Sequence, residues 1–141
     1  MTDLDALRAW LDRYEIAWRS NDATLVEALF TDEAVYRWHP WDDEGDLARG
    51  ADAIARAWLE SPDAPGSWEL HAVPLAVNGD LGIARCVTRY HQTDARPART
   101  YHNIFLVRLD PDGRCADFTE FYMSEPDPGD PVPGAPGGEP A

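Results

Sequence analysis

The stretch Thr100–Met123, TYHNIFLVRLDPDGRCADFTEFYM, sets two runs of strand-favouring residues around Asp110-Pro111-Asp112-Gly113. That tetrapeptide is a turn with a mechanism. Pro111 presets φ for the second turn position, Gly113 takes positive φ after it, and the Asp110 carboxylate can bond the backbone two residues on. The prediction is a long antiparallel hairpin. Along its first strand Tyr101, Asn103, Phe105 and Val107 share one face, and His102, Ile104, Leu106 and Arg108 share the other. In its second strand Ala116, Phe118, Glu120 and Tyr122 alternate with Cys115, Asp117, Thr119 and Phe121. Each face mixes apolar with polar groups, so the sheet needs cover on both sides and its buried polar groups need partners.

Upstream, period-two patterning from Trp68 to Val77 and from Gly82 to Gln92 flanks Asn78-Gly79-Asp80, which predicts a second hairpin, with Pro74 marking a bulge or an edge position. Two readings of its second strand stay open: Arg89 and His91 point inward, or Tyr90 does. Asp94–Pro97 links the hairpins. At the start of the chain Leu4, Leu7, Leu11, Tyr14 and Trp18 recur at helical steps behind an N-cap at Thr2 or Asp3. That helix ends near Ser20-Asn21. Asp22 then caps a second, shorter helix whose apolar residues are Leu25, Val26, Leu29 and Phe30. A short strand, Ala34–Trp38, stops before Pro40, which cannot donate to a ladder. Asp42–Gly50 reads as a loop, Ala51–Leu59 as a helix, and the Ser61–Gly66 segment as its stop. Beyond Met123, SEPDPGDPVPGAPGGEPA has almost no apolar bulk, so residues 1–123 are expected as one domain and 124–141 as a disordered, acidic Pro/Gly-rich tail.

A chain of 141 residues can bury roughly two thirds of its unfolded surface and fold without staples. Cys86 and Cys115 both fall inside predicted strands, without metal-ligand spacing, and read as small buried thiols in a reducing compartment. The acidic residues of MTDLDALRAW do not suit a signal peptide, and no apolar run is long enough to cross a membrane. A cytoplasmic protein is expected. A formal charge of −14 repels phosphate backbones and anionic lipid, so neither nucleic acid nor membrane is an expected partner. His71, His91 and His102 lie on separate predicted strands without short ligand spacings, so no metal is assigned. There is neither a glycine-rich phosphate loop nor a GxSxG elbow, and no cofactor is expected.

Helix, helix, strand, helix and four antiparallel strands make an α+β layout in which helices can pack into a strongly curved sheet. The stretches Arg13-Tyr14, Ala28-Leu29-Phe30-Thr31-Asp32-Glu33-Ala34, Arg49-Gly50-Ala51-Asp52-Ala53-Ile54 and Phe121-Tyr122, in that order and spacing, resemble the nuclear transport factor 2-like superfamily. The similarity is to its ketosteroid isomerase-like and polyketide cyclase-like branches and covers about residues 4–123. It implies a cone-shaped α+β barrel, in which three N-terminal helices fill the concave face of an antiparallel sheet around a pocket. It also implies a homodimer formed through the sheet. Members include isomerases, cyclases, dehydratases and epoxide hydrolases as well as proteins that only bind, so fold alone does not give function.

In ketosteroid isomerases a first-helix tyrosine donates to the developing enolate oxygen, and Tyr14 matches it. Their proton-shuttling aspartate precedes a proline at the end of the first strand, where this chain has His39 before Pro40. Their second oxyanion donor falls on Phe105. With two of three groups changed in type, steroid isomerisation is not expected. The cyclases use a nearby acid that Asp42 or Asp43 would have to fold back to supply.

The candidate catalytic residues are therefore Tyr14, His39 and Glu120, each with a competing reading. Tyr14 sits on an apolar stripe, where a tyrosine often just finds one hydrogen bond at the core edge. His39 titrates near neutral pH, which suits a general base, or packs against Pro40 and Trp41. Glu120, between Phe118 and Tyr122, is an acid or base with a raised pKa if that face is concave, or else pairs with Arg89 or Arg99. Trp18, Tyr36, Trp38 and Trp58 are candidate ligand-binding aromatics, since the chain has more aromatic bulk than its core needs. Asn103, Phe105, Phe118 and Tyr122 complete the candidate ligand face, with Asn103 orienting a carbonyl or bonding a bulged backbone. The functional expectation is a binder of a small hydrophobic carbonyl compound. Its chemistry would be cofactor-free isomerisation, cyclisation or dehydration. A non-catalytic binding or interaction module is the alternative.

Overall fold

Asp3 opens the first helix: its carboxylate accepts from the Ala6 N–H at 2.8 Å, satisfying one of the free donors of the first turn. The computed structural model describes residues 3–64 and 66–126. The tail expected from residue 124 lies, from residue 127 on, outside the described residues. Helix α1 (Leu4–Ser20) buries Leu7, Trp10, Leu11, Tyr14 and Ala17 along one stripe and ends at Asn21, whose backbone is left-handed. Helix α2 (Ala23–Glu27) is capped by Asp22 as expected. It is shorter than its apolar residues suggested: Phe30 begins strand β1 (Phe30–Arg37), and Leu25 is exposed. The loop after β1 contains a two-residue strand, β2 (Ala48–Arg49), that the sequence did not signal. Helix α3 (Ala51–Leu59) and strands β3 (Trp68–Asn78), β4 (Leu81–Tyr90), β5 (Arg99–Leu109) and β6 (Cys115–Ser124) follow.

The architecture is α+β, a curved six-stranded sheet in the order β2-β1-β6-β5-β4-β3 with helices packed on it. Both predicted hairpins are present. In the β5–β6 turn Gly113 has φ 83°, its N–H donates to the Asp110 carbonyl at 2.9 Å, and the Asp110 carboxylate accepts from the Asp112 and Arg114 N–H groups. The β3–β4 register slips between Pro74 and Ala76, where Pro74 indicated a bulge. Two details correct the expected shape. β1 runs parallel to β6, with Tyr36 opposite Phe118, so the sheet is mixed and not purely antiparallel. The sheet is also not closed, so the barrel is an open one.

One face of the sheet holds the core. Trp10 meets Tyr14, Phe30 and Phe118 at centroid distances of 5.5, 6.0 and 5.8 Å, and its indole N–H donates to the Leu29 carbonyl at 3.0 Å, so its burial leaves no polar atom stranded. The polar flank of α1 reaches the sheet at two points, Arg8 to the Ala72 carbonyl and Arg13 to the Gly113 carbonyl, both at 2.9 Å. Cys86 and Cys115 are buried and unpaired, and burial pushes the Cys86 thiol up to about 12. Among the described residues no helix is long and apolar enough to cross a membrane.

Candidate functional site

The core stops short of filling the concave face. Where α1, α3 and the 60–63 segment lean over β4, β5 and β6, they leave a cavity of about 440 Å³. Tyr14 and Trp18, four residues apart on α1, face it together, as the helical period dictates. Tyr36 and Trp38, two residues apart on β1 and just beyond it, do the same by strand alternation, and Trp58 enters from α3. Tyr14 lies 5.2 Å from Trp58 and 5.4 Å from Phe105, and Tyr36 stacks on Phe118 at 4.5 Å. These rings hold one another in place. Burial, with neighbouring Glu120 adding to it, pushes the Tyr14 and Tyr36 hydroxyls well above their usual titration range, so both remain donors at any working pH.

The floor is polar. Asn103 and Glu120 come from β5 and β6, Glu120 lying opposite Phe105 and Asn103 opposite Tyr122. That diagonal brings Asn103 Nδ2 within 2.7 Å of Glu120 Oε2, to which it donates. Asn103 is 8% exposed, and its Oδ1 has no partner among the described residues. Burial drives the Glu120 carboxyl up from 4.5 to about 7, against the weaker opposing pull of the Asn103 hydrogen bond and of His39. Neither Arg89 nor Arg99 pairs with Glu120. Arg99 lies over the Tyr90 ring at 4.4 Å, and Arg89 is exposed. On β4 it is Thr88 and Tyr90 that face the cavity, which resolves the open inward face.

His39 stands outside this wall. Its Nδ1 lies 3.1 Å from Asp42 Oδ1, its Nε2 lies 3.2 Å from the Tyr122 hydroxyl, and its ring stacks on Trp41 at 4.9 Å. Asp42 does fold back, though under the end of β1 and not into the cavity: its other oxygen accepts from the Trp38 and His39 backbone N–H groups. Tyr122 lines the cavity on its own account, so His39 reaches the site only through it. Asp43 instead caps the turn at Gly45.

Of the remaining candidates, Trp18, Trp38, Trp58, Asn103 and Phe105 line the cavity, whereas Phe118 is fully buried behind Tyr36 and does not. Trp41, which stacks on His39, is 76% exposed. Other lining groups were not among the candidates. Tyr90 and Tyr101 were legible only once the inward faces of β4 and β5 were known. Asp63 sits in a segment that reads simply as a helix stop. Its carboxylate accepts from Trp18 Nε1 at 3.0 Å and from the Tyr90 hydroxyl at 3.3 Å. Among the described residues no three His, Cys, Asp or Glu side chains form a metal-holding group.

A family model described as SnoaL-like domain matches residues 5–118. Among solved structures the chain is similar to an NTF-2 like protein of unknown function from Burkholderia xenovorans, at 17% identity over 92% of this chain and 89% of that one, with a TM-score of 0.63. It is also similar to a ketosteroid isomerase-like protein from Erwinia carotovora atroseptica, at 20% identity, 85% and 95% coverage and a TM-score of 0.61. A third is an LEH-like epoxide hydrolase of M. tuberculosis, at 15% identity, 85% and 81% coverage and a TM-score of 0.57. At these identities the likeness is one of fold. No curated protein matches the chain.

Proposed function

The chain belongs to the SnoaL-like domain family, and from that premise we propose that its aromatic cavity binds a small hydrophobic carbonyl compound and moves a proton on it without a cofactor. The observation that carries this reading is Glu120, a carboxyl brought to about 7 on the floor of an aromatic cavity that the Tyr14 and Tyr36 hydroxyls also line. A base poised near the working pH is the requirement for proton abstraction beside a carbonyl. Glu120 takes the proton from the carbon next to the carbonyl, and the Tyr14 O–H donates to the oxygen as negative charge gathers there. The electron pair of the enolate then takes that proton back from Glu120 at another carbon, attacks a second carbonyl whose oxygen takes the proton, or expels a hydroxyl group that leaves with the proton as water. These outcomes are isomerisation, cyclisation and dehydration. His39 and Asp42 orient the Tyr122 hydroxyl from outside.

Native mass spectrometry against polycyclic ketones and polyketide-like aromatics tests the reading. A retained ketone whose binding weakens in Tyr14→Phe or Glu120→Gln supports it, and retention of none by the wild type removes it. The alternative, a non-catalytic module, predicts retention without turnover.

A second observation favours assembly as a homodimer through the sheet. On the face away from the cavity Trp41, Ile104, Phe121 and Met123 line a groove of about 470 Å³, with Trp41 and Met123 76% and 73% exposed. Apolar side chains grouped in this way mark an association surface. The apolar patch of Trp41, Ile104, Phe121 and Met123, which shares the groove with His39, Arg85 and His102, supports a second copy of this chain as its cover.

A further inference from the structure

Among the described residues the cavity wall carries three carboxylates, Glu60, Asp63 and Glu120, and no lysine, arginine or histidine. Asp63 is the one fixed at the outer rim. Beyond its bonds from Trp18 and Tyr90, its backbone carbonyl accepts from Asn21 Nδ2 at 3.0 Å, so the carboxylate is held in place before any ligand arrives. None of the ion pairs among the described residues involves Asp63 or Glu60. Trp18 stacks on Trp68 at 3.7 Å, and Tyr90 meets Tyr101 edge-on at 5.7 Å. One ring of this wall already takes a cation: the Arg99 guanidinium lies 4.4 Å over Tyr90, and Arg99 does not itself line the cavity.

The floor shows separately that the cavity is built for a polar ligand. Asn103 donates an amide N–H to Glu120, and its Oδ1 is buried with no partner among the described residues. A buried acceptor left unmatched in a cavity asks for a donor from the ligand. At the rim, then, the fixed charge is an acceptor, set among aromatic faces that attract positive charge.

We propose that the ligand carries a protonated amine as well as its carbonyl group, the carbonyl end lying at Tyr14 and Glu120 and the ammonium lying at the rim against Asp63, Trp18 and Tyr90. This rests on the reading of the cavity as a small-carbonyl site and names the substrate class within it. A net charge of −14 favours the encounter with such a cation and disfavours acids.

Three 1-tetralone probes that differ in one substituent at the 6-position test it: dimethylaminomethyl, which is protonated at pH 7; isobutyl, its neutral isostere; and carboxymethyl, an anion. Calorimetric titration of the full chain at low salt is expected to show the ammonium probe binding at least tenfold tighter than the isobutyl probe, with the carboxymethyl probe weakest. In Asp63→Asn, which keeps an oxygen for Trp18 and Tyr90, the tenfold ratio is expected to fall below about threefold. Isobutyl binding that equals or exceeds ammonium binding overturns the inference and leaves the carbonyl-site reading standing. A ratio that persists in Asp63→Asn also overturns it. Failure of all three probes to bind removes both readings. If Asp63→Asn does not fold, the wild-type ratio is followed as sodium chloride rises, and a ratio that does not shrink overturns the inference.

Discussion

Replacing Glu120 by glutamine probes the site without any ligand. The carboxyl titrates at about 7 in the folded chain and at 4.5 when unperturbed. Below pH 4.5 it is protonated in both states and contributes no pH dependence. Between 4.5 and 7 the unfolded chain has released the proton while the folded chain keeps it, so the wild type loses stability as pH rises through that window. The difference between 4.5 and about 7, at 1.36 kcal/mol per pH unit, comes to about 3 kcal/mol, nearly all of it lost by neutral pH. Glutamine has no proton to release and can still accept from Asn103 Nδ2, so the variant removes this one titration and keeps the hydrogen bond. Urea denaturation of both proteins from pH 4 to 8.5, plotted as the difference between them, isolates Glu120 from every other titrating group. The expected curve has the variant gaining about 3 kcal/mol on the wild type between pH 4.5 and 7.5. A difference that stays flat with pH means that Glu120 titrates as an exposed carboxylate, and it would refute both the buried-carboxyl argument and the general-base role built on it.

Gly82→Ala tests the contact between α1 and the sheet. A Cβ there would lie 2.9 Å from both terminal methyls of buried Leu7, so overpacking is expected to cost about 1–3 kcal/mol, and Leu7→Ala in the same chain should recover part of it. Asp42→Ala strips a buried carboxylate that accepts from two backbone N–H groups and faces the His39 ring, and denaturation should show a loss of about 2 kcal/mol. Trp41→Glu combined with Met123→Glu places charge in the apolar groove, so sedimentation velocity should find the wild type dimeric and the double variant monomeric at the same concentration; a monomeric wild type removes the dimer proposal.

The parts of this fold that were legible are those with local causes. The β5–β6 hairpin follows from alternation plus one Asp-Pro-Asp-Gly turn, and once its register is drawn Asn103 and Glu120 become diagonal neighbours on one face. What stayed hidden depends on partners distant in sequence. Phe30 stands four residues after Val26 and so continues a helical stripe. Only the Cys115 N–H donating to the Leu29 carbonyl at 2.7 Å shows that the chain has already joined the sheet beside β6. The parallel β1–β6 pairing spans some eighty residues and leaves no periodic trace. His39 was ambiguous because its outcome was set by Asp42, three residues on, which caps the backbone and holds the ring against Tyr122. Asp63 was passed over because a Ser-Pro-Asp segment signals a helix stop whatever else its carboxylate does.

The floor of the cavity argues against a module that merely fills its own core. A glutamate there costs the folded state about 3 kcal/mol at neutral pH relative to an unperturbed carboxyl, out of a total stability that for a domain of this kind is about 5–15 kcal/mol. Asn103 adds an acceptor with no partner, at a further cost of about 1–3 kcal/mol. A leucine at either position would pack against Phe105 and Phe118 with no such cost, as the same aromatic cluster does throughout its deeper half. The two polar groups sit next to each other and open on a stretch of the concave face that side chains leave unfilled. Destabilising groups gathered at an aromatic cavity are accounted for by a ligand that uses them, and a filled core offers no reason for either.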